Sequence, residues 1–176
     1  MLRQTPDLLP FLKMEEDGII RTKKGFMDIL QIKTTDLQSM NPQELQVYVM
    51  SQSAFLRSYT DSFKEVILNF PANCSVQREY WLKKREGVTD PIRLNFINRK
   101  LYEFDFLEKQ RTNREFFIFV FSKSIDSLKS NIDLMKRLLA HSFPLKKIEE
   151  DKKRDVLLLL NNQNTKLLKQ GKRGKK

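Results

Sequence analysis

The amino-acid sequence predicts an α+β (or α/β) fold: a mostly antiparallel sheet of about five strands with helices packed on it, in a single domain. Three observations lead there. Phe116-Phe117-Ile118-Phe119-Val120-Phe121 is an apolar run bracketed by Thr112-Asn113-Arg114 and Ser122-Lys123-Ser124. Short, aromatic and β-branched, it fits a central strand covered on both faces better than a helix. Two β-prone runs between Asp17 and Thr34 are separated only by Lys23-Lys24-Gly25, which reads as a hairpin. Elsewhere apolar residues recur at spacings of three and four, the period of amphipathic helices. A chain of 176 residues can bury roughly two-thirds of its unfolded surface in one domain without a disulfide or metal.

Residues 1–10 hold two prolines and no apolar period, so they read as an extended lead-in, with structure beginning near Phe11. In the hairpin, Gly25 at the last loop position supplies the positive φ of a three-residue connection with a bulge. Phe26, Leu30 and Ile32 share one face of the second run, interrupted by Asp28, while Gln31 and Lys33 point the other way, so this strand should have one wetter face. Asn41-Pro42-Gln43-Glu44 predicts a helix from about 42 to 60 with Asn41 as its N-cap and Pro42 at the first position, where a missing N–H costs nothing. Phe63 to Phe70 alternates Val66, Leu68 and Phe70 against Glu65, Ile67 and Asn69, a strand ended by Pro71.

Val76, Tyr80, Trp81 and Lys84 suggest a helix from Ser75 to about Glu86, closed by Gly87 in a C-cap role. Thr89-Asp90-Pro91 opens another that runs to roughly Thr112 along Leu94, Ile97, Leu101 and Phe104. The mixed charges of these two helices read as a solvated face. After the central strand, Ser124 or Asp126 caps a helix striped by Ile125, Leu128, Ile132, Met135 and Leu139, which stops at His141-Ser142-Phe143-Pro144. Leu145 to Glu149 reads as a short edge strand. Lys152 to Asn162 forms the last helix, whose four consecutive leucines, 157–160, cover more than one face. The domain thus spans 11–164, followed by a flexible basic tail, 165–176.

The formal charge is +11, yet the tail from Thr165 to Lys176 carries six basic residues and no acidic one. More than half of the excess therefore sits in an appendage, and the rest of the chain is only modestly basic. Such a charge invites nucleic acid or anionic lipid, and the candidate residues for an anionic partner are Lys166, Lys169, Lys172, Arg173, Lys175 and Lys176. A single cysteine, Cys74, rules out an internal disulfide, and one His with one Cys rules out a His/Cys metal site within one chain. No run approaches the roughly 18 apolar residues of a membrane span. Five glycines include no phosphate-cradling loop that ends in Gly-Lys-Ser/Thr. His141 reads as a polar residue at a helix end, and Glu150 and Asp151 as helix N-terminal charge. Glu115 and Lys123 flank the central strand at opposite ends, which is wrong for a metal-dependent nuclease. No catalytic residue, metal or cofactor is expected.

The text Asp17-Gly18-Ile19-Ile20, Lys24-Gly25-Phe26-Met27-Asp28-Ile29-Leu30-Gln31-Ile32, the helix opening at Asn41-Pro42-Gln43-Glu44, Phe55-Leu56-Arg57-Ser58-Tyr59 and the strand Phe63 to Phe70 resembles the N-terminal domain of the conjugation ATPases of type IV secretion systems, the TraC/TrsE type of the VirB family. The resemblance covers about 8 to 164 and rests on diffuse patterns, including the late leucine helix. The phosphate-binding loop of that family's motor has no counterpart here. The resemblance therefore implies a stand-alone, motor-less relative, similar to the TrsD/TraD-like transfer proteins of Gram-positive conjugative elements. It implies docking and no active-site residues.

The functional expectation is a non-catalytic component of a conjugative DNA-transfer apparatus, cytoplasmic and peripheral at the membrane face. Its expected partners are the transfer ATPase or inner-membrane channel proteins, with the tail touching acidic lipid, DNA or a partner; a homo-oligomer is left open. The alternative is a sequence-nonspecific nucleic-acid-binding protein that works through the tail.

Overall fold

Residues 10–162 are described by the computed structural model. They form six strands and five α-helices: β1 (Phe11–Met14), β2 (Ile20–Thr22), β3 (Gly25–Ile32), α1 (Pro42–Ser58), β4 (Phe63–Pro71), α2 (Ser75–Glu86), α3 (Pro91–Gln110), β5 (Thr112–Ser122), α4 (Ile125–Leu139), β6 (Leu145–Lys147) and α5 (Glu150–Asn161). The strands make one sheet in the order β1-β2-β3-β5-β4, with β6 also on β3. β3 runs antiparallel to β2, β5 and β6. The fold is α+β, as the sequence predicts. Within it the described residues divide into two compact units: one holds those up to Ile67 and from Glu115 onward, the other is Leu68–Arg114.

In the first unit, β3 and β5 pair from Phe26↔Ser122 to Ile32↔Phe116. On one face Leu30, Ile118 and Val120 pack against Phe55 and Tyr59 and against the α4 stripe Leu128, Ile132, Met135 and Leu139. On the other, Met27, Ile29, Phe117 and Phe119 are equally buried. Glu115, in register with that second face, accepts hydrogen bonds from Gln31 Nε2 and from Lys152 Nζ of α5, each at 2.9 Å. The central run is therefore clothed on both sides, and each buried phenylalanine contributes about 1.5–3 kcal/mol relative to exposure. Local rules set the helix starts. Asn41 and Glu44 form a reciprocal capping box before α1, and the Ser124 hydroxyl accepts the Ser127 N–H before α4.

Several elements differ from the sequence reading. Phe11–Met14 is a sixth strand, paired with β2; it was too short to show an alternation. The hairpin turn holds two residues, because Thr22 pairs directly with Gly25. Gly25 adopts φ +142, and a Cβ there would lie 2.3 Å from the Ser122 carbonyl oxygen. Glycine is required by this close approach of β5. The expected wetter face of β3 does not exist, since Met27, Asp28, Ile29 and Leu30 are all buried. β5 begins at Thr112, so its polar bracket belongs to the strand. Gly87 closes α2 with φ −103, outside the left-handed region.

Lys153 is the unforeseen core residue, with 0% exposure. Its ammonium donates to the Gly18 carbonyl at 2.8 Å and to the Asp28 carboxylate. Along that edge of β3, β2 covers residues 25–27 and β6 covers 30–32, which leaves a break at Asp28 and Ile29. The ion pair sits at this break, and Asp28 also accepts the Ile29 N–H at 2.7 Å.

Tyr59 is buried between Phe55 and Phe63, and its hydroxyl finds no hydrogen-bond partner among the described residues. Burial, helped by the Asp61 charge, pushes the phenol from 10 up to about 12. The folded state thus holds this proton more tightly than the unfolded chain, and stability is lost as pH rises from 10 to about 12. Tyr59→Phe is expected to be neutral or stabilising at pH 7. Urea titrations at pH 7 and 11 should show it losing up to about 1.4 kcal/mol less than the parent over that interval.

Candidate functional site

Two surfaces, one in each unit, present more apolar area than their own fold covers. The first is an apolar cleft of about 480 Å³ in the first unit, a size suited to a ligand or to inserted side chains. Its walls include Ile32 at the end of β3, Tyr48 and Gln52 of α1, Ile67 of β4, Phe116 of β5 and Phe143 beyond α4. Tyr48 meets Phe143 edge-on at 4.9 Å, and burial raises its phenol above the ordinary range. Gln52 Oε1 is buried with no hydrogen-bond partner among the described residues. Glu65 is exposed at the rim, and Ile67 beside it is 59% exposed. The cleft offers a greasy body with acceptors at its margin, which suits an apolar segment that brings N–H or ammonium donors.

The second surface is the α2–α3 hairpin of the other unit. Asp90 caps α3 by accepting the Ile92 N–H at 3.1 Å. The seam between the helices uses Trp81 against Phe96 at 5.8 Å and Arg78 against Asp105 at 2.9 Å. Glu108 accepts the Cys74 N–H at 2.8 Å, which anchors the start of α2 to the end of α3. Ile97 is buried, whereas no residue of α2 is. At 3.6 residues per turn, Ile92, Phe96, Tyr102 and Phe106 form a stripe opposite Leu94, Ile97, Leu101 and Phe104, so α3 is apolar on two sides. Ile92, Tyr102 and Phe106 of the outer stripe face solvent, as do Val76 and Tyr80 of α2, and Phe96, half exposed, lies at its edge where it meets Trp81. Lys84 lies over the rings of Tyr80 (4.9 Å) and Trp81 (6.0 Å), and Lys100 over that of Phe96 (5.8 Å). Hydrogen bonds from Lys100 and then Arg99 hold the Glu103 carboxyl below its ordinary range.

The sequence-predicted anion-binding residues Lys166, Lys169, Lys172, Arg173, Lys175 and Lys176 lie outside the described residues. Glu115 and Lys123 stand at opposite ends of the core run, as expected, and Glu115 is engaged by Gln31 and Lys152. Glu150 and Asp151 occupy the first turn of α5. The expected α2 stripe is corrected: Val76, Tyr80 and Lys84 face solvent and only Trp81 turns toward α3, because the hairpin is a two-helix layer with one inner face. Sequence reasoning missed both surfaces. The outer stripe of α3 was visible as a second 3.6-residue period, whereas the cleft depends on distances between elements far apart in the chain.

No helix among the described residues is long and apolar enough to cross a membrane. An uncharacterized protein of Bacillus anthracis, designated by its plasmid as pXO2-10, is 25% identical to this chain over 182 aligned positions, which cover 92% of this chain and 80% of that protein. A model of the archaeal TraC-like domain matches residues 12–163, from β1 through the end of α5. That match takes in both units and every strand and helix described above, and on it the chain belongs to the archaeal TraC-like domain family, which is related to conjugation.

Proposed function

We propose that this protein is a non-catalytic docking component of a conjugative DNA-transfer apparatus, related to the N-terminal domain of the VirB-type conjugation ATPases. On this reading it works on the cytoplasmic side of the membrane and holds a transfer ATPase or channel protein through the cleft of its first unit. The observation that carries the reading is the cleft itself: about 480 Å³ lined by aromatic and aliphatic side chains, with the buried acceptor Gln52 Oε1 lacking a hydrogen-bond partner among the described residues. A well-packed domain fills such space with its own side chains, and an unpaired buried acceptor is costly unless something supplies its donor. Membership in a conjugation-related family and the plasmid origin of the Bacillus relative support the same setting.

Co-purification from conjugation-proficient cells tests it. The parent protein should bring down a transfer ATPase or channel protein, and Ile67→Lys, a change at an exposed rim position, should weaken that complex at least about tenfold while leaving the melting temperature unchanged. Equal capture by both forms would count against the cleft. The second reading, sequence-blind nucleic-acid binding, rests on the six tail cations. Deletion of 165–176 should then abolish steeply salt-dependent DNA binding, whereas a docking component keeps its protein partner.

A further inference from the structure

We propose that the α2–α3 hairpin binds the surface of an anionic phospholipid bilayer. The connection 87–90 brings the last turn of α2 beside the first turn of α3, and the residues that meet there are of two kinds. Ile92 is 81% exposed and Phe96 and Tyr80 about half exposed. Between Lys83 and Glu103 there are six basic residues against three acidic ones. Asp90 faces Arg93 at 3.7 Å, and Glu103 takes Arg99 and Lys100. One positive charge stays with Arg99 and Lys100, which share Glu103, and the rest falls on Lys83, Lys84 and Arg85, with Glu86 beside them.

Helices that lie on membranes combine exposed aliphatic and aromatic groups with Lys and Arg, whose stems run along apolar surface while their heads meet headgroup phosphate. Lys84 over Tyr80 and Lys100 over Phe96 are arranged this way. The α2 dipole favours cations in its last turn, but it does not account for Ile92 and Phe96 exposed beside them. Single-stranded nucleic acid would need free ring faces for stacking. Tyr80 and Phe96 each carry a lysine over the ring, and Ile92, the most exposed of these residues, offers a base nothing to stack on. Lipid is the better match.

This assignment rests on the placement of the protein beside the membrane in the preceding reading. It is tested with vesicles alone, without any transfer protein, so that each can fail separately. Trp81 is the only tryptophan in the chain and lies within the hairpin, so its fluorescence in the full-length protein reports the contact. With phosphatidylserine-containing vesicles its emission should shift to the blue and be quenched by brominated acyl chains, and both effects should fade as salt rises. Phosphatidylcholine vesicles alone should give neither. The variant Lys83→Ser/Lys84→Ser/Arg85→Ser should bind about a hundredfold more weakly, and Ile92→Ser should reduce the quenching, with unchanged thermal melts as the folding control. Emission that ignores anionic vesicles at low salt would overturn the proposal. So would variants that bind like the parent while deletion of 165–176 abolishes binding, or a response to oligothymidine in place of vesicles.

Discussion

Lys153→Ala should destabilise the protein by about 3–5 kcal/mol, a large fraction of the roughly 5–15 kcal/mol that holds a domain of this kind together. The side chain is fully buried, and truncation leaves the Asp28 carboxylate and the Gly18 carbonyl without the ammonium that both accept from. Most of the expected loss is the cost of an uncompensated buried charge, not the intrinsic worth of the pair. The double variant Asp28→Asn/Lys153→Met separates the two. Asparagine keeps an oxygen for the Ile29 N–H, and methionine keeps an apolar stem of similar length. The double change should therefore cost less than the sum of its parts by about 0.5–3 kcal/mol in urea titrations. A Lys153→Ala loss below about 1 kcal/mol would mean that the break in the β3 edge is wet enough to solvate Asp28.

Gly25→Ala is the second large effect. Its φ of +142 lies where L-residues rarely go, and the added Cβ would sit 2.3 Å from the Ser122 carbonyl oxygen, a backbone atom fixed by the β3–β5 ladder. Backbone strain and the displaced strand end together should cost about 3 kcal/mol or more. Gly87→Ala is the matched control, since nothing lies within 4 Å of its Cβ position and its φ is −103. At Gly87 the added Cβ should be near neutral or stabilising, because it restricts the unfolded chain, so comparable losses at both sites would show that the β5 contact does not set the cost at Gly25.

Features governed by near neighbours in the chain were legible in advance. The aromatic run became the buried part of β5, Asn41 to Glu44 became a capping box, and Leu128, Ile132, Met135 and Leu139 became the core stripe of α4. Those governed by other elements were not. Lys153 lies in the run Lys152-Lys153-Arg154, which reads as solvated charge; its burial depends on a gap between β2 and β6 that no local pattern encodes. Asp28 looked like a flaw in a strand face because its partner is 125 residues away. A glycine at position 25 was foreseen from turn chemistry, while the stronger reason, the Ser122 carbonyl, is tertiary. At the hairpin, a helical stripe at Val76 and Tyr80 showed periodicity but not whether anything lay opposite it. The cleft is a volume between distant residues, for which a sequence has no local signal.

The central claim, that the cleft of the first unit holds a protein of the transfer apparatus, is tested most directly by placing a photo-crosslinking residue at position 67 in conjugating cells and identifying what it captures. The prediction is one dominant adduct with a transfer ATPase or channel protein, absent when an unrelated exposed position such as 154 carries the same group. Conjugation that proceeds normally with no adduct from position 67, or with adducts indistinguishable from those at 154, would contradict the claim.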